Sequence, residues 1–521
     1  MNLLFHSKRK EKQIRRFKVI RLQFLVFFTL LLSSTALAQS SDADFVTKFV
    51  TQSDVELNIY FLASDEFLGR DTGTQELDIA ARYFATWLQV HGVNPVQGYD
   101  TYFQEVPFER LKAPETIALT IGDSVYTKNE HLIALNGFRT ELDAPIIVLE
   151  YATEAEIEDT DIKGKIVIAK AGLPGHQNPQ QYFAGTQDKL GWIADGGGAG
   201  LIELYSHPQF PWQVLLNFLG GDRMGLADNS DGDDNEIPLL WMNATQSYVK
   251  EYVESSSGIS SHLSLTGEAP ETFTSRNVIG VLEGTDPELK EEYILLAAHY
   301  DHLGVASGAE PPYSSEEIYN GARDNAVGTA AILSAAKYFS ENPPKRSVIF
   351  AAWTAEERGL LGSSYFADNP MIPLKQIVYN LNIDGAGYND TTKVTVIGLG
   401  RTEADDELIS AADAFGLEAI ADPAPEQNLF NRSDNVNFAR NGIPAPTYSM
   451  GLTAFDSEIN RYYHQTTDES QTLNFHYITN YTRSFVLAAD KIANRDEAPF
   501  WLPGDPYEEA GRELYNLKED I

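Results

Sequence analysis

Two adjacent glutamates, Glu356 and Glu357, follow an apolar run of strand-forming residues from 347 to 353. A run of this kind without polar alternation predicts a strand that is covered on both faces. In open α/β sheets, the loops at the carboxyl ends of such strands commonly carry the functional groups. An isolated Glu-Glu pair is more often the start of a solvated helix, so the pair alone does not establish a site.

Three other predicted strands are followed by side chains that bind metal cations. These strands are 293–298, 376–383 and 446–449, and a polar loop lies between 319 and 328. The candidate groups after the strands and in the loop are His299, Asp301, Asp324, Asp384 and His464. Each of them alone is more simply explained as a turn, cap or surface residue. Their recurrence at equivalent strand ends predicts one shared site.

Metal cations give a reason for bringing these groups together. A buried cluster of Asp324, Glu357 and Asp384 would repel itself strongly unless cations lay among the carboxylates. The chain has no cysteine, so disulfides and thiolate ligands are excluded, and zinc would have to bind to His, Asp and Glu. The sequence therefore predicts a metal site built from imidazoles and carboxylates.

The elements that must position these groups alternate between strand and helix from about residue 277 onward, which is typical of an α/β layer fold. We therefore predict an α/β fold with a mixed central β-sheet flanked by helices. Residues 41–98 are predicted to be mainly helical. Between about 110 and 267 the pattern changes to short strands, which indicates an inserted β-rich module.

The motif order His-x-Asp, Gly-Ala-x-Asp-Asn-x-x-Gly, Glu-Glu-x-Gly, Asn-x-Asp-Gly and Tyr-His resembles the M28 family of dinuclear zinc peptidases. The resemblance covers about 277–494, and the loop 62–73 is similar to the N-terminal part of that family. Residues 161–165 and 198–202 resemble a protease-associated (PA) domain. The resemblance implies a phosphorylase/hydrolase-like fold with peptidase residues at 39–109, a PA domain at 110–267 and the remaining peptidase domain with its tail at 268–521. A signal peptide is predicted at 1–38 from the residue pattern described below.

The same resemblance implies a role for each candidate residue. Asp324 would bridge two Zn²⁺ ions, with His299 and Asp384 completing one site and Glu357 and His464 the other. Glu356 would then remain unbound and act as the general base. Asp301 would be a catalytic helper whose carboxylate orients the imidazole of His299.

The sequence departs from the family pattern at several positions. Arg323 precedes the bridging Asp where an acidic or small residue is common, and Asn435 replaces the His of an Arg-Ser-Asp-His segment. Asn431 stands where Tyr is common. We expect the segment 431–435 to border the substrate cleft and to influence carbonyl stabilisation and side-chain preference. The sequence leaves two roles possible for Asp468, a supporting one near the site and a capping one.

The N-terminal pattern predicts a cleaved export signal. Eight basic residues precede an apolar stretch at 22–32, and the Ala36-Leu37-Ala38 segment offers a cleavage site. The apolar stretch is too short to span a bilayer comfortably. We therefore expect an exported protein, periplasmic or extracellular, without stable membrane insertion.

The charge of the chain restricts its partners. A formal net charge of −36 at pH 7 disfavours binding to nucleic acid and to acidic membrane surfaces. The acidic loop 228–236 (DNSDGDDNE) invites a calcium interpretation, but the EF-hand pattern would place Ala227 at a position that requires a ligand oxygen. A solvated acidic loop is the better explanation.

These observations favour an exported metallo-aminopeptidase that acts on peptides. The alternatives are a carboxypeptidase, a dipeptidase or a glutaminyl cyclase on the same scaffold, and a non-catalytic protein that uses the PA-type module for binding. The presence of Glu356 argues against the non-catalytic alternative. A serine hydrolase is disfavoured because no G-x-S-x-G turn follows a strand. The sequence makes no prediction of oligomeric state.

Overall fold

The computed structural model describes residues 42–517, except for 137–138, 177–178, 208–210 and 228–236. The predicted signal peptide and the acidic loop 228–236 lie outside the described residues. The chain divides into two compact units. The first takes the described residues of Met1–Val106 and Ser275–Ile521, and the second is Pro107–Thr274. The assignment of the second unit as a PA domain stays a prediction.

The first unit begins with helices, as the sequence predicts. Its elements before the second unit are α1 (42–49), α2 (Gln52–Leu62), α3 (Gln75–Val90), β1 (Asn94–Pro95) and β2 (Phe103–Leu111). The side chain of Thr74 accepts a hydrogen bond from the backbone N–H of Leu77 and so caps α3. Leu77, Phe84 and Leu88 form the buried face of α3, which is the amphipathic pattern expected of a helix on a sheet.

The second unit contains an eight-stranded sheet in the order β4-β3-β11-β6-β7-β8-β10-β5. Its elements are β3 (Thr116–Ile121), β4 (Ser124–Thr127), β5 (Leu132–Ala134), β6 (Thr140–Val148), α4 (Glu154–Glu158), β7 (Ile166–Lys170), α5 (Pro179–Asp195), β8 (Gly200–Tyr205), α6 (Trp212–Leu219), β9 (Arg223–Leu226), β10 (Leu239–Asn243), α7 (Ser247–Glu254) and β11 (Ser260–Thr266). The unit is less β-rich than predicted, because four helices accompany the strands.

A buried ion pair lies in the second unit. Lys189 on α5 and Glu203 on β8 are 2.6 Å apart, and both side chains are fully buried. The carboxylate of Glu203 also accepts hydrogen bonds from the hydroxyl of Thr186 and the indole N–H of Trp241. Lys189 donates a second hydrogen bond to the carbonyl of Lys170. Each charge is thus compensated by groups of the protein itself.

The first unit resumes with alternating strands and helices. Its further elements are β12 (Glu271–Leu282), β13 (Tyr293–His299), β14 (Gly304–Val305), β15 (Ile318–Tyr319), α8 (Val327–Glu341), β16 (Ser347–Trp353), α9 (Leu361–Asp368), β17 (Ile377–Ile383), β18 (Lys393–Ile397), α10 (Asp405–Ala414), β19 (Glu418–Ala421), α11 (Asn435–Arg440), β20 (Thr447–Met450), α12 (Ser457–Tyr462), α13 (Phe475–Ala493) and α14 (Glu508–Leu514). The chain therefore alternates as predicted for an α/β layer fold.

The central sheet of the first unit runs in the order β19-β18-β20-β17-β13-β16-β12. Strand β13 is parallel to β16 and β17, and β17 is parallel to β20. Strands β12 and β18 run antiparallel to their neighbours β16 and β20. The mixed α/β sheet predicted from the sequence is confirmed. Its four parallel strands end at one edge, where the candidate site residues follow them.

Both faces of this sheet are covered, which agrees with the unbroken apolar sequence of its strands. Leu296 of β13 packs in the core that contains residues of α2, α3, α8 and α13. Leu295 faces the opposite core, which includes Phe438 of α11 and Trp501 of the C-terminal tail. The indole N–H of Trp501 donates to the carbonyl of Gly442. Among the described residues, no helix has the length and apolar character needed to cross a membrane.

Candidate metal centre

The pairing register of the central strands places the candidate residues side by side at the same end of the sheet. His299, the last residue of β13, pairs with Trp353 of β16, and Ala297 pairs with Asn382 of β17. Asp384 follows β17 directly and therefore lies beside His299. Successive residues of a strand point to opposite faces of the sheet. Ala297 and His299 are two residues apart on β13, so their side chains point to the same face.

His299, Asp324 and Asp384 form the first of two adjoining groups of possible metal ligands. Nε2 of His299 lies 3.2 Å from Oδ1 of Asp324 and 3.2 Å from Oδ1 of Asp384. His299 and Asp324 are buried, and the side chain of Asp384 is 15% exposed. One imidazole nitrogen and two carboxylate oxygens thus converge, which is a donor set that suits zinc.

The second group consists of His302, Asp324 and Glu357 and shares Asp324 with the first. His464 belongs to neither group but contacts two members of the second. Nε2 of His464 lies 3.3 Å from Oδ2 of Asp324 and 3.1 Å from Oε2 of Glu357. The two carboxylate oxygens of Asp324 therefore face different histidines, as expected of a residue between two cations. The Glu357 side chain is 4% exposed, whereas His464 is 37% exposed and borders solvent.

His302 is a member of the second group that the sequence analysis missed. Its Nδ1 lies 2.6 Å from Oε1 of Glu357. Its Nε2 is buried and has no hydrogen-bond partner in the described part of the chain. The ring leaves no room for a side chain at Gly321, where a Cβ atom would approach it to 2.6 Å. A second histidine three residues after His299 was the available signal.

Asp301 contacts the backbone of the two adjacent glutamates, Glu356 and Glu357. Its carboxylate accepts hydrogen bonds from the backbone N–H groups of Glu356 at 3.1 Å and Glu357 at 3.4 Å. Nδ1 of His299 is 3.2 Å from the backbone carbonyl of Asp301 but 3.8 Å from its carboxylate. The carboxylate therefore contacts the glutamate backbone, and the imidazole contact that the sequence predicts is made by the carbonyl instead.

Arg70 connects two of the loops that carry the site. Its Nε donates to the carbonyl of Tyr300, and its two terminal nitrogens donate to the carbonyls of Leu62, Asn320 and Gly321 at 2.6–3.1 Å. Arg70 is buried, and burial lowers its pKa to about 10, so it stays protonated at neutral pH. The side chain fixes the segments that precede Asp301 and Asp324.

Asp468 supports the bridging residue from a different direction. Its carboxylate accepts the backbone N–H groups of Arg323 at 2.8 Å and Asp324 at 3.3 Å. It also pairs with the Arg323 guanidinium at 2.9 Å, and that guanidinium lies 3.7 Å from the ring centre of Tyr462. Of the two roles left open for Asp468, the structure favours the supporting one, and Arg323 is held away from the ligands.

The buried carboxylates shift the pKa values of their neighbours. Burial lowers the pKa of His464, but its hydrogen bonds to Asp324 and Glu357 outweigh this effect and raise the pKa to about 10. Burial raises the pKa of Glu356 well above its usual value; the positive charge of His299 opposes this, and Asp384 and Glu357 add to it. The cluster therefore attracts positive charge strongly.

A cleft of about 520 Å³ opens over the cluster. It is lined by the carboxylates of Asp324, Glu356, Glu357 and Asp384, and by His464. As expected, Asn431, Arg432 and Ser433 also line it. Asn435 does not: it is buried, and its side-chain amide donates to the carbonyl of Ala445. The expectation that Asn435 borders the cleft is corrected, because α11 directs this side chain into the core.

Comparison with known proteins finds a family similarity in the part of the chain that carries this geometry. Residues 277–488 match the sequence model of peptidase family M28. This part of the chain is similar to that family. The match spans the segment that contains all seven predicted site residues.

Individual relatives match shorter parts of the chain. The vacuolar membrane protease of Saccharomyces cerevisiae is 37% identical over 115 residues, which is 22% of this chain and 10% of the yeast protein. Aminopeptidase YwaD of Bacillus subtilis is 26% identical over 202 residues, which is 39% of this chain and 41% of the relative. The chain thus matches less than half the length of these curated relatives.

The fold likeness extends over most of the chain. The aminopeptidase from Aneurinibacillus sp. strain AM-1 aligns with 88% of this chain and 97% of its own at a TM-score of 0.57 and 19% identity. This likeness concerns the fold and confirms the predicted α/β class. The roles of His299, Asp301, Asp324, Glu356, Glu357, Asp384 and His464 remain predictions.

Proposed function

We propose that this protein is a zinc-dependent metallopeptidase that hydrolyses N-terminal residues from peptides. The observation that carries the proposal is the division of donors around Asp324. Its two oxygens contact the imidazoles of His299 and His464 separately. Glu356, although adjacent to Glu357, belongs to neither group of possible ligands, whereas His464, also outside both groups, contacts Asp324 and Glu357. A shared carboxylate with a separate glutamate supports a two-cation hydrolase.

The names of the relatives support the direction of cleavage. The Bacillus subtilis relative is called an aminopeptidase, and the yeast relative is called a protease. The match to peptidase family M28 supports peptide-bond hydrolysis in general. Removal of residues from the amino terminus is therefore the form of the proposal that these names favour.

The donor set fits two zinc ions. His299 and Asp384 would hold one ion and Glu357 and His464 the other, with Asp324 shared between them. Nitrogen and oxygen donors without sulfur are compatible with catalytic zinc. When bound, two zinc ions polarise the scissile carbonyl and lower the pKa of a coordinated water.

Glu356 supplies the proton transfer in this proposal. Its carboxylate would accept a proton from the attacking water and deliver it to the leaving amine. Burial is the largest of the effects that raise its pKa, so it holds a proton more readily than an exposed glutamate does. Asp301 fixes the backbone N–H of Glu356, which positions the base relative to the ligands.

Zinc content and substrate assays test the proposal directly. The purified chain should hold two zinc ions and cleave aminoacyl-arylamides, and a chelator should abolish this activity. Peptides with a free amino terminus should be cleaved, and acetylated peptides should not. Cleavage of acetylated peptides from the carboxyl end would favour the carboxypeptidase alternative, and release of cyclised N-terminal glutamine would favour the cyclase.

The two glutamates provide a matched pair of variants. Glu356→Gln should retain two zinc ions and lose about 10²- to 10⁴-fold in kcat, whereas Glu357→Gln should lose zinc. Glu513→Gln, on the exposed side of α14, is the control and should change neither property. Full activity with less than one zinc ion per chain, or activity that survives Glu356→Gln, would contradict the mechanism.

We also infer that the protein is exported to the periplasm or beyond the cell. The support is the basic, apolar and small-residue order of the first 38 residues. Amino-terminal sequencing of the protein recovered from outside the cytoplasm should begin at Gln39. Recovery of the intact chain from the cytoplasm alone would contradict this inference.

A further inference from the structure

We propose that the cleft over the cluster binds a carboxylate group of the substrate through Arg432 and Arg440. The proposal rests on the peptidase function proposed above and specifies its substrate class. Both arginines line the same cleft as the candidate ligands. Guanidinium groups form strong, geometrically defined hydrogen bonds with carboxylates.

The two arginines lie on either side of the core-facing residues of α11. Arg432 lies just before α11, and Arg440 is its last residue. Val436, Phe438 and Ala439 of this helix are fully buried. The backbone that supports the two arginines is therefore fixed by the core, while their side chains are exposed toward the cleft.

Arg432 lies close to the candidate ligands. Its Nη2 is 3.3 Å from the hydroxyl of Tyr463. The Tyr463 ring stacks on the imidazole of His464, with ring centres 4.1 Å apart. A carboxylate bound to Arg432 would consequently sit next to the reacting end of the cleft.

Other arginines near the cluster are engaged by carboxylates, whereas these two are not. Arg323 pairs with Asp468, and Arg358, adjacent to Glu357, pairs with Asp71 at 2.6 Å. Within the described ranges, neither Arg432 nor Arg440 has a carboxylate within 4.0 Å. The chain has 75 acidic and 39 basic residues, so a shortage of acidic partners does not explain this difference.

The charge of the cleft favours an anionic ligand. Its four carboxylates belong to Asp324, Glu356, Glu357 and Asp384. Two divalent cations would balance these four charges, which leaves the arginines as the uncompensated charges of the lining. A substrate carboxylate would thus meet net positive charge in a protein that is otherwise strongly acidic.

The cleft also provides space for the rest of such a substrate. Apolar side chains of Ile397, Leu429, Leu452 and Phe455 line it together with the arginines. The carboxylate has two possible sources: an Asp or Glu side chain beside the scissile bond, or the terminal carboxylate of a short peptide. Both present the same chemistry to a guanidinium.

Matched substrates separate the two sources. The zinc-loaded chain is assayed with Glu- and Gln-arylamides, and with one tripeptide as its free acid and as its C-terminal amide. We expect kcat/KM to be about 10- to 100-fold higher for the charged member of one pair, because hydrogen bonds to charged groups are stronger than those between neutral groups. The first pair reports a side-chain carboxylate and the second a terminal one.

Substitutions then assign the preference to the arginines. Arg440→Gln and Arg432→Gln should each reduce the ratio of charged to neutral kcat/KM toward one. Arg82→Gln, on the exposed face of α3, removes the same charge elsewhere in the first unit and should leave the ratio unchanged. A ratio that persists in both cleft variants would overturn the proposal.

Binding measurements keep this proposal separate from the catalytic one. Dissociation constants for the same substrate pairs are measured with the Glu356→Gln protein, which does not require turnover. Tighter binding of a charged member, lost in Arg440→Gln, supports the carboxylate site even if the proposed hydrolysis fails. Equal dissociation constants within both pairs would overturn the carboxylate site even if the protein is an active aminopeptidase.

Discussion

The two units of this protein each contain a buried cluster of charge, and the clusters are built in opposite ways. In the second unit, Lys189 and Glu203 balance each other, and each makes further hydrogen bonds within the unit. In the first unit, three acidic side chains lie among three histidines, and one of these, His302, has a buried nitrogen with no partner among the described residues. The closed network balances its own charges, whereas the open one is the place where we propose that metal binds.

The clusters also differ in the elements that carry them. Lys189 and Glu203 lie within a helix and a strand, where neighbouring residues fix both side chains. Asp384, Glu357 and His464 lie in loops after strand ends. Loops on a rigid sheet are suited to binding and catalysis, so removal of a residue should affect stability in the second unit and chemistry in the first.

The largest effect is expected at the shared carboxylate. Asp324→Asn should lose at least one zinc ion and reduce kcat/KM by about 10³-fold or more, because several kcal/mol of transition-state stabilisation disappear. Metal analysis and arylamide assays check this outcome. Asp368→Asn, an exposed substitution on α9, serves as the control. An Asp324→Asn protein with two zinc ions and normal activity would show that the open cluster is not a metal site.

The corresponding change in the closed cluster should act on stability alone. Lys189→Met leaves Glu203 buried without its cation and should lower the free energy of unfolding by about 3–5 kcal/mol. Urea denaturation followed by tryptophan fluorescence measures this loss, while zinc content under native conditions should not change. The double variant Lys189→Met/Glu203→Gln should recover part of the stability. A loss below about 1 kcal/mol would mean that the pair is not the structural cluster described.

A smaller effect is expected from the carboxylate beneath the glutamates. Asp301→Asn replaces an acceptor of the N–H groups of Glu356 and Glu357 and should reduce kcat by about 100-fold with zinc retained. KM should change little, because the substitution alters the placement of the base rather than substrate contacts. Unchanged kcat would indicate that other contacts hold the two glutamates in place.

The smallest effect is expected at Asp468. Asp468→Asn weakens the support of Asp324 and the ion pair with Arg323, and should raise the zinc dissociation constant by about tenfold. Chelator competition measures that constant. If zinc affinity stays the same while thermal stability falls, Asp468 would have a structural role, as the Lys189–Glu203 pair does, and no role in metal binding.

Much of the first unit could be predicted from the sequence, because its strands are unbroken apolar runs and its site residues follow them directly. The predicted strand 347–353 matches β16, and the structure brings all seven predicted site residues together. The second unit was less predictable. Helix α5 includes Lys189, whose inward orientation depends on Glu203 in a later strand, and nothing in the local pattern indicates a buried lysine.

The sequence analysis also missed Arg70 and His302 in the first unit, because both make their contacts with distant parts of the chain. Arg70 and Tyr300 are 230 residues apart in sequence and meet in the folded chain. His302 follows His299 by three residues, but its contact with Glu357 is made across 55 residues of sequence. Periodicity predicts which face of an element is buried, but not which distant loop it contacts.

The hydrogen bonds of Arg70 have a consequence for the synthesis of the protein. The ribosome makes Arg70 early, and its hydrogen-bond partners Tyr300 and Gly321 follow 230 and 251 residues later. At about 5–20 residues per second, the loop that contains Arg70 would wait roughly 12 to 50 seconds for these partners. The second unit is complete by residue 274, before any candidate ligand has been translated. Metal uptake should therefore be among the last events in the maturation of the nascent chain.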